Sequence, residues 1–123
     1  DTMAAYRLTL LPGDGTGPEV IAEAKKVISA FEEFGPISFE TTEIPCGGQY
    51  YLDTGEEWPI GSFEHCRDNS DAIIVGAVGW PGASLPNGDV AGGQVLLGPP
   101  RTQPPRRRRG KGPERRRGRG PER

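Results

Sequence analysis

Past Leu97 the sequence holds no aliphatic or aromatic side chain. A chain orders only where burial of apolar surface outweighs lost conformational entropy. Any core of this protein is therefore confined to residues 1–97. Charge divides at the same place. Residues 1–97 carry fifteen carboxylates against four cations (Arg7, Lys25, Lys26 and Arg67), net −11. Residues 98–123 carry ten Arg and Lys111 against Glu114 and Glu122, net +9. The overall −2 is the near-cancellation of two unlike segments. The 123 residues suffice for one modest domain, expected over 6–97, with a separate segment over 98–123.

The second segment is repetitive. Arg107–Glu114 and Arg115–Glu122 are two copies of one eight-residue unit, differing only by Lys111 for Arg119. Stacked copies would bury nothing, which excludes a solenoid, and the composition predicts disorder. Its eleven cations would attract phosphate backbones without base specificity. It has no Phe, Tyr or Trp on which single-stranded bases would stack.

The first segment reads as alternating strands and helices. Tyr6–Leu11 is β-prone and stopped by Pro12-Gly13. Pro18 suits the first turn of a helix, with Thr16 as its cap and Glu19 at the positive end of the dipole. Val20, Ile21, Ala24, Val27, Ile28 and Phe31 recur on one helical face, and Gly35-Pro36 ends the helix. Ile37–Ile44 alternates as a half-exposed strand closed by Pro45. Residues 46–58 read as loop with one helical turn near Tyr50–Leu52, and 59–69 as a weak helix. Asp71–Gly79 is a continuous apolar run, the pattern of a strand buried on both faces. Residues 80–93 are loop, and Val95-Leu96-Leu97 opens another apolar element. Strand, helix, strand, helix, strand is the order of a parallel α/β sheet.

Cys46 and Cys66 lack metal-ligand spacing and are expected to be reduced thiols. His65, the only histidine, is expected at the surface or half-buried, without a metal role. No apolar run is long enough to span a bilayer. Nothing near Asp1 resembles a signal peptide, so a cytoplasmic protein is expected.

Gly13-Asp14-Gly15-Thr16-Gly17-Pro18-Glu19 lies between strand and helix, where a dinucleotide fingerprint would stand. Its third glycine comes one residue early, Pro18 removes a donor, and Asp14 and Glu19 place negative charge where phosphates would sit. These features disfavour a conventional Rossmann site. They fit a tight glycine-dependent turn with a ligand, at most, at its edge.

Leu11–Val20 resembles the opening of the decarboxylating β-hydroxyacid dehydrogenases, which include 3-isopropylmalate, isocitrate and tartrate dehydrogenases. Asp71–Pro81 is similar to their strand and Gly-x-Val-Gly-x-Pro turn. Gly47-Gly48 and Gly55 fall where members place small residues. The resemblance runs from about Tyr6 to Leu97. Trp80 is tartrate-like and Cys46-Gly47-Gly48 isopropylmalate-like. The resemblance implies the start of a non-Rossmann, isopropylmalate-dehydrogenase-like domain (βαβαβ). It implies oxidation of a malate-type hydroxy acid by NAD or NADP, then decarboxylation, with Mg²⁺ or Mn²⁺ as Lewis acid, in a homodimer. Thr16 would lie near the adenine and Gly76, Ala77, Val78 and Gly79 near the nicotinamide. Leu96 and Leu97 would either line the substrate's side-chain pocket or be ordinary core.

The family continues through a Leu-Arg pair to an Asn-x-Arg-Pro strand whose arginines grip substrate. Its proton-transfer Tyr and Lys and its metal-binding aspartates follow later. This sequence instead reads Gly98-Pro99-Pro100-Arg101, and Asp14, Asp53 and Asp71 are not equivalents of those aspartates. The expectation is that this chain alone does not turn over and binds neither cofactor nor metal stably. A reading-frame shift near codon 98 is the hypothesis that explains the Pro/Arg/Gly composition. If neither other frame downstream encodes an Asn-x-Arg-Pro strand, it fails.

Overall fold

The computed structural model describes residues 4–98. The basic segment expected over 98–123 thus lies, but for Gly98, outside the described residues. The element order is β1 (Ala4–Gly13), α1 (Gly17–Phe34), β2 (Ile37–Glu43), α2 (Gly48–Thr54), α3 (Ser62–Asp68), β3 (Ala72–Ala77) and α4 (Gly93–Leu97). The strands form one sheet in the order β2-β1-β3, with both pairings parallel. This is the expected parallel α/β arrangement. Among the described residues no helix is long and apolar enough to cross a membrane.

β1 is the central strand, and only its C-terminal half is covered. Ala4–Arg7 are exposed, whereas Leu8–Pro12 are buried. Side chains alternate across a strand. Leu11 joins Ile44, Cys46, Cys66 and Val95 in one apolar cluster, flanked by Trp58 and Val78. Leu10 therefore faces the other side. α1 packs against all three strands. The register sets Leu10 against Glu43 of β2 and Ile74 of β3, and Gly13 against Ala77.

Three sequence expectations are corrected. β1 does not stop at Leu11 but runs through Pro12 to Gly13. Beyond Leu10, β1 has no partner in β2, and a proline is tolerated where a strand needs no donor on one side. The six-residue apolar face of α1 splits. Ile21 is buried and Ala24 and Ile28 are half-buried, but Val20, Val27 and Phe31 are more than half exposed. A three-stranded sheet is narrower than the stripe the helix presents. Finally, β3 is an edge strand, with Ile73 45% and Val75 38% exposed. Its continuous apolar run matches a strand covered on both faces, whereas among the described residues the face carrying Ile73 and Val75 is left partly open and only β1 pairs with the strand.

The loop expected over 46–58 contains a two-turn helix, α2, and the weak helix over 59–69 is realised as α3. Cys46 and Cys66 are free thiols, as expected, and both are buried. His65 is half-buried, and its Nε2 is enclosed without a hydrogen-bond partner.

Candidate functional site

The C-terminal ends of β1 and β3 carry the two glycine-containing turns. They approach so closely that side chains are excluded. A Cβ on Gly17 would stand 1.9 Å from the Pro12 carbonyl oxygen, and one on Gly76 would stand 2.2 Å from the same atom. Backbone seals the contact: the Asp14 N–H donates to Ala77 O at 2.6 Å, and Gly17 N–H to Asp14 O at 2.8 Å. The fold thus sets Gly13–Pro18 beside Gly76–Gly79.

Thr16 occupies the N-cap position of α1, exposed, with helical backbone angles and no side-chain capping bond. The expected hydroxyl cap is absent because Thr16 has already turned into the helical region, and its carbonyl accepts the Val20 N–H at 3.1 Å. Gly76 and Val78 are half-buried, while Ala77 and Gly79 are exposed. Leu96 and Leu97 lie apart, on α4, 62% and 87% exposed, so the ordinary-core reading fails for both. α4 is a helix of five residues, and only Val95 turns into the cluster.

Leu96 and Leu97 instead border an apolar cleft of about 430 Å³ on the face opposite α1. Its walls include Trp58, Phe63, Ile73 and Val75. Arg67 lies at its margin, its guanidinium 5.6 Å from the Phe63 ring centroid and bonded to Asp68 at 2.8 Å. A second cleft, of about 540 Å³, lies by the first glycine turn and is bordered by Asp14, Glu43 and Asp53. Thr16 and Gly76–Gly79 line neither cleft.

The residues that organise the site were not foreseen. Asp14 is 3% exposed, and its carboxylate accepts three backbone N–H groups. Oδ2 takes Gly48 at 2.7 Å and Gly79 at 2.8 Å, and Oδ1 takes Gln49 at 2.9 Å. Of the two carboxylates expected to repel phosphates, Glu19 stays exposed, while Asp14 is turned inward onto backbone N–H groups. Glu57, 6% exposed, plays the same part at α4: its Oε1 accepts Gly92 N–H at 2.6 Å and Gln94 N–H at 3.5 Å. The sequence signal for both is the Gly-Gly pair opening each helix, Gly47-Gly48 and Gly92-Gly93, which has no capping side chain of its own. Nothing local identifies the carboxylate, which comes from 34 or 35 residues away.

This donor set does not fit a divalent metal. Both buried carboxylates are committed to N–H groups, and among the described residues no three His, Cys, Asp or Glu converge. Nor are the Gly48, Gln49 and Gly79 donors free for a pyrophosphate, because Asp14 holds them. What the turns offer a dinucleotide is exposed backbone, at Gly15 and Gly79, whose Cβ positions open into empty space.

Residues 7–96 match the family model for isocitrate/isopropylmalate dehydrogenase. A 3-isopropylmalate dehydrogenase of Thermobifida fusca is 42% identical over 90 residues, 73% of this chain and 25% of that protein. One from Prochlorococcus marinus is 42% identical over 79 residues, 64% of this chain and 22% of that protein. A solved β-decarboxylating dehydrogenase from Thermococcus kodakarensis, in its apo form, is 37% identical over 66% of this chain and 23% of that one, with a TM-score of 0.49. The chain thus spans about a quarter of the length of the curated relatives it matches.

Proposed function

This chain belongs to the isocitrate/isopropylmalate dehydrogenase family, and from that premise we propose that residues 6–97 are the dinucleotide- and substrate-facing start of an NAD-dependent decarboxylating dehydrogenase. The substrate is a malate-type 2-hydroxy acid with an apolar side chain, of the 3-isopropylmalate kind. Thr16 borders the adenine side and Gly76, Ala77, Val78 and Gly79 the nicotinamide side. Leu96 and Leu97 meet the substrate's side chain.

The observation that carries this reading is the seating of two separate family motifs against each other. They are 60 residues apart in sequence and locked through Pro12, Asp14, Gly17 and Gly76. An apolar cleft bordered by Leu96 and Leu97 supports a branched aliphatic group. The similar 3-isopropylmalate dehydrogenases favour that acid over tartrate.

The metal and the proton-transfer groups of the reaction are supplied from outside residues 4–98, since these residues hold no site that fits a metal. On this reading the 123-residue chain does not turn over by itself. NADH formation from 3-isopropylmalate or tartrate with Mg²⁺ or Mn²⁺ would overturn that. Titration of the labelled chain with NAD and NADP tests the cofactor side. Weak, unsaturated amide shifts confined to Thr16 and Gly76–Gly79 at millimolar nucleotide support it, and shifts centred elsewhere refute it.

The charge of residues 98–123 favours one further reading, non-specific attachment to nucleic acid. Binding to RNA that weakens steeply with added salt supports it. Absence of binding at low salt removes it.

A further inference from the structure

We infer that Asp14 and Glu57 form a hydrogen-bonded relay that makes the Gly76–Gly79 turn and the start of α4 a single cooperative unit. The relay rests on the reading above only for what its two ends face, the nicotinamide and the substrate's side chain. Its links are all short. The Gly79 N–H donates to Asp14 Oδ2 at 2.8 Å, and the same oxygen accepts Gly48 N–H at 2.7 Å. One residue back, Gly47 N–H donates to the Glu57 carbonyl at 2.9 Å. The Glu57 carboxylate then accepts Gly92 N–H at 2.6 Å, at the N-cap of α4. The Asp14 carboxylate and the Glu57 main-chain carbonyl thus hold the two sides of the Gly47-Gly48 step, and the Glu57 carboxylate carries the chain on to α4.

Packing closes the same circuit. A Cβ on Gly47 would stand 2.4 Å from Asp14 Oδ2, and one on Gly92 would stand 2.6 Å from Val78 Cγ1 and 3.3 Å from Gly47 Cα. Gly92 therefore touches both the Gly76–Gly79 turn and the Gly47 step. Asp14 and Glu57 are 3% and 6% exposed, so water does not replace a broken link. A buried carboxylate that loses one N–H partner is left under-satisfied, and so is the donor it released. Opening at either end therefore raises the free energy of keeping the other end closed. Asp14 and Glu57 are positioning residues for both subsites.

Native-state hydrogen exchange on the wild-type 123-residue chain tests this. The amides of Gly47, Gly48, Gln49, Gly79 and Gly92 are expected to share one opening free energy and one urea dependence. Glu57→Ala, which removes the acceptor of the Gly92 N–H, should raise exchange at Gly79 at least tenfold, and Asp14→Asn, which sets an NH2 against one of the three N–H groups, should do the same at Gly92. Leu10 and Leu11 in the central strand should hold their protection. Separate opening energies for Gly79 and Gly92, or a remote amide unmoved by the substitution, overturn the relay. Should Asp14→Asn fail to fold, the wild-type grouping and Glu57→Ala still decide. No nucleotide or substrate enters the measurement, so a chain that ignores NAD leaves this result intact.

Discussion

Cys46 sits in the apolar cluster beside Cys66, and burial pushes its thiol from an ordinary 9.0 up to about 11. The nearby Asp14 and Cys66 add to the rise, while a backbone hydrogen bond at Gly13 opposes it. Because the folded value lies above the unfolded one, the unfolded chain loses this proton first. The contribution is whole below pH 9.0 and is lost as pH climbs toward 11, on the order of 2 to 3 kcal/mol. Urea melts at pH 8 and pH 11 should show that loss in the wild type, and Cys46→Ala should reduce it. Gly76 makes a sharper case. Its Cβ would press on the Pro12 carbonyl and lie 3.0 Å from Gly17 Cα, both rigid backbone. Gly76→Ala should cost about 3 kcal/mol or more, since neither neighbour yields without breaking the turn. Gly93, the first residue of α4, has open space around it, and Gly93→Ala should stabilise by about 0.5 to 1 kcal/mol. Thermal melts of the two variants should move in opposite directions.

α1 illustrates how an element divides its own apolar face. Ile21, 1% exposed, seats the helix on the sheet, and Ile21→Ala should cost about 2 to 5 kcal/mol. Phe34, 83% exposed, does not, and Phe34→Glu should stay within about 0.5 kcal/mol of wild type. At the start of β3, Asp71 accepts the Arg7 N–H at 2.7 Å and faces the Arg7 guanidinium at 3.5 Å, which together hold its carboxyl below the usual range. That stabilisation is present above the unfolded carboxylate value and fades as pH falls through the lower folded one. Asp71→Asn should therefore flatten the acid limb of the stability profile below about pH 4. The element order was legible because each strand and helix carries its own period and its own Pro or Gly stop. The facing of those elements was not. Which of Val20, Ile21 and Val27 is covered depends on how wide the sheet is, and no local pattern encodes that. The turns of the candidate site were legible as motifs. Asp14 and Glu57 were not, because their partners are backbone amides more than thirty residues away.

At the scale of the molecule, the two margins of the sheet differ in chemistry. β2 borders one side with Glu40, Thr41, Thr42 and Glu43, all exposed, and charge on an edge discourages pairing with another chain. β3 borders the other with Ile73 and Val75 half-exposed, and the cleft they help wall continues over Trp58, Phe63, Leu96 and Leu97. Among the described residues nothing pairs with the outer edge of β3. Exposed apolar side chains and unpaired strand groups on one margin favour contact with further polypeptide. The 15 carboxylates of residues 1–97 oppose it by mutual repulsion, which salt screens. Association of the purified chain should therefore grow with both protein concentration and ionic strength, the reverse of attraction between the acidic and basic segments, which salt weakens. Val75→Lys puts a charge on the apolar margin while leaving β2 and the Asp14 carboxylate untouched. Sedimentation velocity across a salt series should show a smaller weight-average mass for that variant at every concentration. A mass that falls as salt is added, with Val75→Lys indistinguishable from wild type, would assign the association to the charged segments instead of the β3 margin.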